Sequence, residues 1–155
     1  MPSMSAGLLL FRRTGEAIEV MLVHMGGPFW SRKDAGAWSL PKGEYGPGED
    51  PLSAARREFA EELGRDPPAG EPIGLGAVKQ RSGKLIHAWA LEADFDAQHV
   101  RSNTFELEWP RGSGRIREFP EVDRAGWFTL QRAREKLASG QRPFLERLAE
   151  RLAGG

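Results

Sequence analysis

Cysteine is absent from all 155 residues, which excludes both a disulfide framework and a thiolate metal site. That fits a cytoplasmic protein. Net charge is missing too: 22 Lys and Arg balance 22 Asp and Glu. No overall field therefore draws the chain to nucleic acid or to an anionic membrane, and any polyphosphate affinity must come from local groups. Long hydrophobic runs are also lacking. The apolar stretch from Ala6 to Phe11 has no basic region before it and is too short to span a bilayer, so it reads as a buried strand rather than a signal or anchor. Histidine is scarce, with three residues at 24, 87 and 99. They share no ligand spacing, which points to structural or solvent-facing roles. With 39% hydrophobic residues, the chain suits one domain over residues 1–155: long enough for one core, too short for two.

What is present centres on residues 38–64. Asp50 is a good helix N-cap, Pro51 fits the first helical position, and Gly64 can supply the left-handed stop. Between them Leu52, Ala55, Phe59 and Leu63 form one apolar stripe. Glu58, Glu61 and Glu62 stand at i, i+3 and i+4, so their carboxylates meet beside that stripe and repel. Arg57, immediately before Glu58, is expected to project to a different side and compensate only in part. A hard divalent cation with oxygen ligands suits such a cluster, particularly beside a loop carbonyl. A solvated helix face is the alternative that these glutamates leave open by themselves.

The wider pattern decides between them. Gly43, Glu49 and the run Arg57-Glu58-Phe59-Ala60-Glu61-Glu62-Leu63-Gly64 resemble the signature box of the Nudix hydrolases, G-x5-E-x7-R-E-U-x-E-E-x-G-U with U apolar. Seven fixed identities at average residue usage arise by chance in a chain this long less than about once in a million. One position departs: the final U is Arg65, which puts the packing after the helix in question and removes no candidate ligand. The resemblance implies an α/β fold, an α/β/α sandwich around a mixed β-sheet, and hydrolysis of a phosphoanhydride with Mg²⁺ or Mn²⁺. It implies Glu58, Glu61 and Glu62 as metal ligands with the Gly43 carbonyl as a further one, and Glu49 paired with Arg57 to hold the loop against the helix. Glu58 is the expected base for the attacking water.

The flanks supply substrate candidates. Phe29, Trp30, Arg32 and Lys33 sit in a long loop over residues 25–37, offering a stacking surface and cations. Lys42, in Leu40-Pro41-Lys42-Gly43, is placed to meet a phosphate. Residues 102–119 read as a strand-like piece followed by a basic loop, in which Arg111 and Arg115 could grip phosphates and Trp109 could stack on a base. Residues 119–128 resemble the stretch before the last strand in Nudix proteins, which makes Glu121 an additional acid or base, with Glu106, Glu108 and Glu118 competing. Residues 72–80 and 84–93 read as strands, and 130–138 and 142–152 as amphipathic helices. The expected substrate is a nucleoside triphosphate or a dinucleoside polyphosphate. Oxidised triphosphates, nucleoside diphosphate sugars and a non-catalytic nucleotide-binding module are the competing readings. The expected partner is a small-molecule nucleotide, with a homodimer as the expected assembly.

Overall fold

A computed structural model describes residues 4–154; Met1, Pro2, Ser3 and Gly155, all inside the expected domain span, lie outside the described residues. The chain begins with a hairpin of β1 (Met4–Thr14) and β2 (Ala17–Met25), turned through Gly15 at φ 63°. Short strands β3 (Trp38–Ser39) and β4 (Lys42–Glu44) lead to helix α1 (Pro51–Leu63). Then come β5 (Ile73–Lys79), β6 (Leu85–Glu92), β7 (Thr104–Glu108), β8 (Ile116–Pro120) and β9 (Val122–Thr129). Helices α2 (Leu130–Lys136) and α3 (Pro143–Gly154) close the chain. The main sheet runs β3-β2-β1-β6-β5, with β4 also on β1 and β9 also on β2. It is mixed, because β1 and β6 are parallel while the other pairings are antiparallel.

The unbroken apolar run of β1 is explained by helices on both faces of the sheet, since a strand buried on two sides has no polar face to alternate with. Ala6, Leu8 and Leu10 pack with Ala54, Ala55, Phe59 and Leu63 of α1. Leu9 and Phe11 point the other way, to Ala133 and Leu137 near α2 and to Phe144, Leu145 and Leu148 of α3. The result is the α/β/α sandwich that the resemblance implies. Phe59 is fully buried, so Phe59→Ala would cost about 3–5 kcal/mol and loosen α1 from the sheet. Among the described residues no helix is long and apolar enough to cross a membrane.

Two segments differ from the sequence reading. Residues 102–119 form an antiparallel hairpin, β7 on β8, as a separate two-stranded sheet. Residues 122–129 do not precede the last strand but are that strand, paired to β2 from Glu19↔Thr129 to Met25↔Val122. Its weak apolar content hid it: much of β9 is only half-buried, so burial did not impose an apolar pattern.

Candidate active site

The site grows from the two ends of α1. At its start, Asp50 accepts the Ser53 N–H at 3.0 Å from an extended conformation, and Pro51 follows where no N–H is needed. At its end, Gly64 has φ 79° and its N–H reaches the Ala60 carbonyl at 2.8 Å. The position after it, Arg65, solves the packing with polar chemistry. Its guanidinium lies 4.2 Å over the Phe95 ring and donates to the carbonyls of Asp96 and His99. Phe95 in turn meets Phe59 edge to face at 5.1 Å. A cation on an aromatic face thus replaces the aliphatic contact.

Because α1 lies across β4, its acidic side is turned inward. Glu58 and Glu62 are each only 8% exposed. Gly43 makes room for one of them: a Cβ there would stand 1.9 Å from Glu58 Oε2. Its need for glycine is steric, since the carboxyl group occupies the space of a side chain. Burial raises the Glu58 pKa, an effect opposed by the Arg57 hydrogen bond and reinforced by the charge of Glu61. Glu62 is pushed up to about 8, first by burial and further by Glu58 and Glu121, against the pull of Lys42. Glu121 is also raised, by partial desolvation and then by Glu61. It stays exposed, so water screens much of that shift.

Arg57 departs from the side-chain direction expected of it. Its Nε and Nη2 grip Glu49 at 2.8 and 3.1 Å, while Nη1 reaches Glu58 at 2.7 Å and Glu61 at 3.2 Å. A long side chain can fold back over its own helix surface, so adjacency in sequence does not keep Arg57 from Glu58. These bonds hold Glu49 below the ordinary carboxylate range and raise the Arg57 pKa. Among the described residues no three carboxylate or imidazole groups converge closely enough to hold an ion as they stand. The donor set nevertheless fits a hard cation, because burial makes its two inner carboxylates hold protons tightly, and a cation beside them would favour their ionised form.

The other sequence candidates fall into two places. Lys42 is half-buried beside Glu62 and acts on it through its charge and its backbone N–H. Glu121 reaches the cluster through a short chain of backbone bonds: Asn103 N–H donates to the Glu61 carbonyl, and Glu121 N–H donates to the Asn103 carbonyl, both at 2.9 Å. Of the four acidic competitors, Glu121 is the one whose charge acts on Glu58 and Glu62. Glu106 faces Glu118 across the hairpin, Glu118 takes the Thr104 hydroxyl, and Glu108 accepts the Gly112 N–H at 2.6 Å.

Phe29, 47% exposed, meets Trp109 edge to face at 5.3 Å and so joins the 26–37 loop to the hairpin. Trp30 is half-buried against the core, with the Lys33 ammonium 5.2 Å over its ring. Arg32, Arg111 and Arg115 are exposed. The sequence reading did not foresee the role of Asn103 and Ser102, which bring the chain back to α1; Val122 N–H donates to Ser102 Oγ at 3.1 Å. No local signal marks a residue whose importance lies in a backbone contact forty residues from its partner.

Residues 1–148 match the sequence profile of the NUDIX domain. No curated protein sequence is significantly similar to the chain. Among solved structures, a Caenorhabditis elegans Ap4A hydrolase in a binary complex shares 23% identity over 97% of this chain and 99% of its own, with a TM-score of 0.68. The NUDIX domain of Shewanella oneidensis NrtR, complexed with ADP ribose, shares 18% over 98% and 89%, with a TM-score of 0.63. A MutT protein from Methanosarcina mazei shares 24% over 97% and 95%, with a TM-score of 0.59. These likenesses agree with the fold, while the profile match spans nearly the whole chain and includes the box that builds the acidic site. The chain belongs to the Nudix family, as a hydrolase acting on phosphoanhydride bonds.

Proposed function

We propose that the protein hydrolyses a nucleoside triphosphate or dinucleoside polyphosphate by attack of water on a phosphoanhydride, with Mg²⁺ or Mn²⁺ held by Glu58, Glu61, Glu62 and the Gly43 carbonyl. The observation that carries this is the burial of Glu58 and Glu62 beside Gly43 with too little counter-charge. Bound divalent ions neutralise phosphate oxygens, acidify water and stabilise the departing phosphate. Every other contribution comes from the chain. Glu58 takes the proton of the attacking water, its affinity for a proton having been raised by burial. Glu121 stands at the rim as the second acid or base. Arg57 and Glu49 hold the 44–50 loop against α1, so that Gly43 and Glu58 keep their approach.

Lys42 meets a phosphate beside Glu62. Phe29 and Trp30 supply the aromatic contact for a base, while Arg32, Lys33, Arg111 and Arg115 supply cations for the outer phosphates. The similarity to an Ap4A hydrolase supports the dinucleoside reading. The similarity to an ADP-ribose complex favours a second one, a nucleoside diphosphate joined to a sugar.

Phosphate release from a panel of triphosphates, oxidised triphosphates, dinucleoside polyphosphates and nucleotide sugars, with Mg²⁺, with Mn²⁺ and with chelator, tests the proposal. Metal-dependent turnover of a triphosphate or dinucleoside polyphosphate is the expected result. Preference for a nucleotide sugar transfers the assignment to the second reading. Equal turnover in chelator overturns the metal role.

A further inference from the structure

His24, near the end of β2, is fully buried, and both of its ring nitrogens face oxygen. Nδ1 is 2.9 Å from Asp123 Oδ1, and Nε2 is 2.7 Å from the backbone carbonyl of Lys33. A carbonyl oxygen accepts and cannot donate, and the same holds for an ionised carboxylate. A neutral imidazole would therefore aim one lone pair at another and leave a nitrogen of the fully buried ring unsatisfied. Two N–H groups satisfy both neighbours.

The surrounding charges agree. The ring meets Trp38 edge to face at 5.1 Å, and Trp38 donates from Nε1 to Asp34 at 2.9 Å. Of the cations nearby, Arg124 lies over Trp38 at 5.2 Å and is 3.5 Å from the same Asp123 Oδ1 that faces the ring, while the Lys33 ammonium lies on Trp30 and Lys136 pairs with Asp34. None of them replaces a proton between His24 and its two acceptors.

We infer that His24 stands as an imidazolium, and that with Asp123 it forms a positioning pair that locks the 26–37 loop against β9 beside Glu121. The loop is held at Gly26, where it starts, and at Lys33, within it. Gly26 N–H donates to the Glu121 carbonyl at 2.9 Å, and the Lys33 carbonyl accepts from His24 Nε2 at 2.7 Å. Between those points lie Phe29, Trp30 and Arg32, so the pair acts on substrate through the loop and touches none itself. The effect on turnover rests on the proposed substrate contacts; the protonation state does not.

Two readouts test the pair separately. Histidine ring ¹⁵N spectra of the full chain, with the His24 signals assigned by their absence in His24→Asn, should show both nitrogens protonated at pH 7. In Asp123→Asn one of them should lose its proton. A neutral His24 in the unaltered protein, or the shared proton residing on the Asp123 carboxyl, overturns the inference whether or not any nucleotide is hydrolysed. For the hydrolysed substrate, Asp123→Asn should raise KM roughly tenfold, the loss expected for a charge-assisted hydrogen bond, with kcat little changed. A drop in kcat at constant KM, or no kinetic change, removes the positioning role. Should His24→Asn fail to fold, Asp123→Asn and the pH course of the remaining ring signals carry the test, because the Asp123 side chain is 28% exposed.

Discussion

Replacing Glu62 with glutamine should stabilise the metal-free protein while disabling it. The Glu62 pKa rises from 4.5 to about 8 on folding, mainly through burial. Between those values the unfolded chain has released the proton and the folded chain keeps it, so folding takes up a proton and stability falls as pH rises. Below 4.5 both states are protonated and the cost vanishes; above about 8 both are ionised and the cost levels off. Each pH unit in that window removes about 1.4 kcal/mol, giving a ceiling of about 5 kcal/mol. Glutamine keeps the shape and an oxygen for the Lys42 N–H, and it cannot ionise. In chelator the stability gap between Glu62→Gln and its parent should therefore be small at pH 5, widen to pH 8 and then stay flat. At about 2–4 °C per kcal/mol for a chain of this size, the melting temperatures should separate by up to roughly 10–20 °C. Added Mg²⁺ should narrow the gap by stabilising the parent alone, and turnover of the variant should fall roughly a hundredfold or more. Melting temperatures from pH 5 to 9, with and without Mg²⁺, measure all of this. A gap that does not change with pH, or one that favours the parent at pH 8, refutes the buried-carboxylate argument.

Gly43→Ala should act on chemistry more than on folding. The added Cβ meets the far end of the flexible Glu58 side chain, at 1.9 Å from Oε2 and 2.0 Å from Cδ, so the carboxylate moves aside. A turnover loss on the order of a hundredfold with a small melting shift is expected; normal turnover would mean that Glu58 is not held in a working position. Arg57→Ala and Glu49→Gln should be strongly non-additive in kcat, because Arg57 holds Glu49 through two nitrogens and the pair works as one unit. Additive losses in the double variant would separate their roles. Phe29→Ala and Trp109→Ala break the same edge-to-face contact, and each should raise KM about tenfold if the pair receives a base. Unchanged KM in both would place the base elsewhere.

Much of the framework of the candidate site was legible because its parts are close in sequence and governed by local rules. The cap at Asp50, the stop at Gly64 and the i, i+3, i+4 spacing of the glutamates follow from helix geometry, and the structure keeps each of them. The buried strand at residues 6–11 was likewise readable from its apolar run, and it is the middle of β1. The direction of Arg57 was misread because spacing rules describe where a side chain starts, and a long flexible one can turn back. The strand β9 was missed because only its first residue is fully buried, so its pairing with β2 comes from the sheet and leaves little apolar trace.

The amino-acid sequence by itself determined the family, the helix that carries the carboxylates and the glycine beside them, since these rest on identity and spacing within some twenty residues. Tertiary structure alone decided how far each carboxylate is buried, and hence why Glu62 binds its proton so tightly while Glu49 does not. It also brought Glu121, alone of four acidic residues, close enough for its charge to act on Glu58 and Glu62, by returning the chain through Asn103 to the end of α1. Lastly, it joined His24 to Asp123 and Lys33, a contact across 99 residues of chain on one side and nine on the other. Such pairings depend on which strands meet in the sheet, and no local pattern encodes that.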